Sequence, residues 1–140
     1  MPSRDVVAAA ADWQDTEMNP ALVPYPPAIR RAAVVIAALL AVVIAYFSLV
    51  PPGDAPAPQI SDKVRHFAAY AVLAVPVSMW FGPGRIAAVL ITAAYGIGLE
   101  IAQGLAGTGR EASLADAAAN TLGAAAGFLL IWFIARTRRA

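Results

Sequence analysis

From Ala32 to Val50 nineteen consecutive residues carry no charge and are almost all apolar. As a helix this run is about 28 Å long, enough to cross the hydrocarbon core of a bilayer. It lies too far from the N-terminus, and lacks the small-residue cleavage site, to be a signal peptide. Three further segments, about 61–81, 85–105 and 114–135, have spanning length. The composition agrees: 60% hydrophobic and 14% charged is too apolar for a soluble domain of 140 residues. The length allows one small helical bundle and no separate globular domain. With no cysteine there is neither a disulfide nor a thiolate metal site, and the single His argues against a His-rich one. A net charge of +1 gives no sign of nucleic-acid binding.

The fold class predicted is an all-α membrane protein, a bundle of four transmembrane helices with a flexible or partner-bound cytoplasmic N-terminal tail. The tail takes residues 1–31, the bundle 32–135, and a basic cytoplasmic C-terminus 136–140. The tail is polar and punctuated by proline, and Ala21–Pro27 cannot be regular helix because each proline removes a donor. Asp5–Trp13 suits a short amphipathic turn. Pro51-Pro52-Gly53 ends the first span, and an extended loop runs on to Ile60. Pro76 predicts a kink in the second span, and Gly82-Pro83-Gly84 a tight turn. A Gly-rich link, Ala106–Glu111, precedes Ser113, a cap for the fourth span with Asp116 as its box partner. Arg30, Arg31, Arg85, Arg136, Arg138 and Arg139 fall on one side, against Lys63, Arg65 and Arg110 on the other. The positive-inside bias therefore puts both termini in the cytoplasm.

Within these spans Gly96, Glu100, Gln103 and Gly107 share one helical stripe, within roughly 60° of arc. An ionisable Glu at such a place costs on the order of 3 kcal/mol at the bilayer centre, so it is expected to turn inward and find a partner. The topology supplies candidates at the same outer depth. Asp62, Lys63, His66 and Tyr70 open the second span, Glu100 and Gln103 close the third, and Arg110 follows in the loop. Asp116 and Asn120 open the fourth span, and with Gly123 and Gly127 they form a single stripe. The Gly123-x-x-x-Gly127 step permits close helix approach.

Each candidate has a structural and a functional reading. Glu100 is either a proton acceptor or ligand contact, or an anchor bonded to Arg110, His66 or Asn120. His66 beside Asp62 or Glu100 has the makings of a general base, and equally of a hydrogen-bonded interfacial residue. Ser113 reads as a cap. Lys63, Arg65 and Arg110 either clamp an anion or snorkel to lipid phosphates. Trp80, Trp132 and Tyr46 read as belt or lipid-facing residues. Asp62, Glu100 and Asp116, with His66, are residue types that suit a divalent cation, but no ligand spacing demands one. No metal or cofactor is therefore assigned.

Asp62-Lys63-x-x-His66-Phe67-x-x-Tyr70, then Glu100-x-x-Gln103, then Arg110-x-x-Ser113-x-x-Asp116-x-x-x-Asn120-x-x-Gly123, resembles the VanZ-like family of bacterial membrane proteins. The resemblance covers about Ala32–Phe133. It implies a multi-pass protein of the bacterial cytoplasmic membrane; the family takes its name from an accessory product of glycopeptide-resistance clusters, associated with low-level teicoplanin resistance. The 29-residue tail is not part of the family pattern. The link Gly-Leu-Ala-Gly-Thr-Gly between Gln103 and Arg110 replaces a stretch where members often carry an aromatic and a proline.

The function expected is that of an outer-leaflet polar cluster binding the headgroup of an envelope lipid or cell-wall precursor. Ligand contacts are assigned to Lys63, His66, Tyr70, Glu100, Gln103 and Arg110. Asp62, Ser113, Asp116, Asn120, Gly123 and Gly127 hold the frame. Membrane lipid is the partner, with further protein partners in a larger complex under a second reading, a non-catalytic accessory subunit docked through its helices and tail. A third reading is a membrane-embedded hydrolase or transferase using His66 and Glu100.

Overall fold

The computed structural model describes residues 25–51, 61–107, 109 and 111–138. The expectations for residues 1–24, for the loop 52–60 and for Arg110 lie outside the described residues. Four helices and no strand are present among those described: α1 (Pro27–Leu49), α2 (Asp62–Phe81), α3 (Ala87–Leu105) and α4 (Leu114–Thr137). They hold 23, 20, 19 and 24 residues, so at 1.5 Å per residue each is long and apolar enough to cross a membrane.

Helix α1 begins at Pro27, ahead of the Arg30-Arg31 pair that was expected to precede the span. The reason lies in proline itself: at the first helical position its missing N–H goes unneeded and its φ is already helical. Arg30 then reaches the far end of α2, where its Nε donates to the Trp80 carbonyl at 2.9 Å. Pro76 is buried inside α2, which continues to Phe81. Gly82-Pro83-Gly84 makes the expected tight turn into α3. Helix α3 stops at Leu105 because Gly107, at φ +65°, takes the left-handed conformation that ends helices. Gly107 is thus off the helix, and the stripe it was expected to share ends at Gln103.

The tightest pair is α2 with α4, which run parallel; α1 lies on the other side, against α2 and α3, and touches α4 nowhere among the described residues. The buried apolar centre is made by Ala37, Tyr70, Leu73, Val77 and Ala88. Helix α1 buries only Ala33 and Ala37 and leaves Val35, Leu39, Val42 and Tyr46 outward, as lipid-facing residues are.

Two glycines set the α2–α4 distance. A Cβ on Gly123 would overlap the Phe67 carbonyl oxygen, and one on Gly127 the Ala71 carbonyl oxygen. Lipid tails are as apolar as side chains, so helix pairs in a membrane gain from such close packing rather than from hydrophobic burial. Replacing Gly127 by Val should therefore cost about 1–3 kcal/mol through overpacking. Gly98→Ala, where a Cβ meets nothing within 4 Å, should be neutral or gain about 0.5–1 kcal/mol. Thermal unfolding of both variants in detergent checks the contrast.

Candidate functional site

The polar residues of the bundle meet at one end, where α2 and α4 begin and α3 finishes. Because α2 and α4 are parallel, each turn of one meets the matching turn of the other. Two turns above Gly127 and one above Gly123, the fully buried Asn120 presents Oδ1 to His66 Nδ1 at 2.9 Å. One turn higher, Asp116 Oδ1 stands 3.9 Å from Lys63 Nζ. Lys63 is mostly exposed and Asp116 mostly covered, so this is a loose pairing at the rim.

Helix α3 enters through Gly96. A Cβ there would sit 2.8 Å from the Tyr70 ring and 2.9 Å from the Asn120 side chain, so only glycine lets α3 close on both. That places Glu100, one turn on, beside His66: Oε1 lies 3.6 Å from Nδ1, too far for a hydrogen bond. Its other oxygen, Oε2, accepts the backbone N–H of Ser113 at 3.0 Å. Ser113 does cap α4, its Oγ accepting from the Asp116 N–H at 3.2 Å. The return bond of a capping box is thus made by Glu100 from another helix, instead of by Asp116. A carboxylate at a helix N-terminus also meets the positive end of the helix dipole.

Gln103 is buried, and its Nε2 donates to the Ser48 carbonyl at 2.8 Å. That carbonyl belongs to the last turn of α1, where no helical N–H remains to satisfy it. Tyr95, which the sequence did not single out, makes a second tie of this kind, its hydroxyl donating to the Ala41 carbonyl at 2.6 Å. Tyr70 is buried against the Tyr95 ring, at 6.3 Å between centroids.

The structure brings His66, Glu100, Asp116 and Asn120 together, with Lys63 at the rim and Tyr70 beneath. Asp62 does not join them: it is exposed and pairs with Arg65, three residues on. Three buried polar atoms of the group, Tyr70 Oη, Asp116 Oδ1 and Asn120 Nδ2, have no hydrogen-bond partner. Away from this end, Ala37, Leu73, Val77, Trp80, Thr92 and Tyr95 line an apolar cleft of about 240 Å³ between α1, α2 and α3. At the opposite end Arg136 lies 5.3 Å over the Trp132 ring.

Ser113→Ala should cost about 1 kcal/mol through the lost cap. Glu100→Ala should cost more, about 1–3 kcal/mol, because it leaves the partly buried Ser113 N–H unpaired and unties α3 from α4. Glu100→Gln keeps an acceptor oxygen and should fall between wild type and Glu100→Ala. Thermal unfolding of the three variants in one detergent gives the order.

The VanZ/LLP1 family model matches residues 33–135. No curated protein and no solved structure matches the chain. The matched stretch runs from the first turns of α1 almost to the end of α4 and holds the whole polar cluster. With four helices able to span a membrane and the family pattern over most of its length, the chain belongs to the VanZ/LLP1 family of multi-pass membrane proteins.

Proposed function

We propose that this protein binds the phosphorylated headgroup of an envelope lipid or lipid-linked cell-wall precursor, at the outer leaflet of a bacterial cytoplasmic membrane. The observation that carries the reading is the unsatisfied polar group at one end of an otherwise apolar bundle. Buried polar atoms nearly always have partners, and Tyr70 Oη, Asp116 Oδ1 and Asn120 Nδ2 have none. The cluster sits at the end of helices of spanning length, where a lipid headgroup is a polar partner within reach. Lys63, mostly exposed at the rim, meets the phosphate, with Arg110, which follows α3 in the sequence, as the second cation. Glu100 and Asp116 meet the positively charged or hydroxyl-bearing part. The excess of arginine at the other end supports the outer placement.

The test is native mass spectrometry of the chain purified gently in mild detergent. Wild type should retain a phosphorylated lipid or precursor. The Lys63→Ala/Arg110→Ala double variant should lose it, by at least about tenfold for 1.4 kcal/mol of lost contact. Equal retention by both proteins would sink the reading.

A further inference from the structure

We propose that His66, Glu100 and Asp116 form a binding site for one divalent cation, where α2, α3 and α4 converge. A His66 ring nitrogen and one oxygen of each carboxylate all lie within 4.8 Å of one another. Around an ion with bonds of about 2.0–2.2 Å, neighbouring tetrahedral ligands stand roughly 3.4 Å apart. His66 Nδ1 and Glu100 Oε1, at 3.6 Å, already have this spacing. Asp116 is the adjustable arm, because no hydrogen bond holds its Oδ1 in place. Closing its distances from at most 4.8 Å to roughly 3.4 Å, a shift of up to about 1.4 Å, completes a three-ligand set.

Two residues beside the set carry buried polar atoms without a hydrogen-bond partner. Asn120 is 0% exposed, touches the cluster through His66, and has an unpartnered amide nitrogen. Tyr70 is 1% exposed and its hydroxyl is unpartnered. Its ring packs against Gly96, one turn from Glu100. Water carried by a bound ion would satisfy both atoms.

Charge argues for a cation. Two carboxylates face the cluster, and the Lys63 ammonium that approaches them is 63% exposed at 3.9 Å. Asn120 Oδ1, now 2.9 Å from Nδ1, gives up that contact when the ring nitrogen takes the ion. One imidazole with two carboxylates is a borderline donor set, suited to zinc or manganese better than to calcium or magnesium. The His66 and Asp116 side chains keep 15% and 18% exposure, so the cluster can be reached from outside the bundle. The site shares Glu100 and Asp116 with the headgroup reading but does not require it, for neither Lys63 nor Arg110 ligates the ion.

The experiment uses the full-length, tag-free chain in mild detergent, stripped with EDTA and titrated with zinc chloride or manganese chloride by calorimetry. Expected are saturable binding of one ion per chain and a rise in Tm that EDTA reverses. Glu100→Gln and Asp116→Asn keep the shape of each side chain and should each weaken binding at least about tenfold. Lys63→Ala removes a competing charge and should bind at least as tightly. No saturable binding by wild type overturns the proposal, and that result depends on no variant folding. Unchanged affinity in both carboxamide variants overturns it too. The lipid retention of the Lys63/Arg110 variant is read separately, so either proposal can fail alone.

Discussion

The approach of α2 to α4 at Gly123 and Gly127 fixes the height of every polar group above it. Each glycine lets a carbonyl of α2, from Phe67 and from Ala71, sit where a Cβ would be. Since the helices are parallel, this register carries upward turn by turn, to Asn120 on His66 and then Asp116 on Lys63. A side chain at either glycine would part the helices, and the His66–Asn120 bond, short at 2.9 Å, would be the first polar contact to open. The glycines stand outside the site and decide its geometry.

Helix α3 is held by a different device. Gly96 admits it against Tyr70 and Asn120, and then hydrogen bonds between side chains and backbone tie it at both flanks. Glu100 takes the free N–H at the start of α4, Gln103 a carbonyl at the end of α1, and Tyr95 a carbonyl in its middle. Each joins a side chain of α3 to main chain of a neighbour. In lipid, where apolar contact between helices gains little over contact with tails, such bonds position helices at roughly 0.6 kcal/mol or more apiece.

What the sequence could reveal follows from which partners have a sequence signature. The four spans were legible because an apolar run of spanning length has few other uses. The Asp116, Asn120, Gly123 and Gly127 stripe was legible from its spacing, and the Ser113 cap from its place before an apolar run. Main-chain partners leave no such mark. Glu100 was expected to meet Arg110, His66 or Asn120; it faces His66 at 3.6 Å and also takes the Ser113 N–H, a partner that no spacing announces. Tyr95 lies off the polar stripe, so nothing in the pattern distinguished it from an ordinary aromatic. Asp62 shares the spacing of His66 and Tyr70, yet as the first residue of α2 it turns outward to Arg65. A ligand set drawn from three helices has no short spacing, so the sequence offered Glu100, Asp116 and His66 only as suitable residue types, together with Asp62.

Glu100 joins the frame to the site, because its two oxygens do different work. Oε2 closes the cap of α4 from outside that helix, while Oε1 faces His66 without a hydrogen bond between them. The expense of a carboxylate at this depth is therefore met by a structural bond on one side, while the other oxygen makes no hydrogen bond to His66. Loss of the whole side chain removes both roles together, so a Glu100→Ala phenotype says little about binding. Lys63 and Asp116 differ, since no hydrogen bond to another helix depends on their side chains. The chemistry of the cluster is best read from these rim residues, and its architecture from Glu100, Asn120 and the two glycines beneath them.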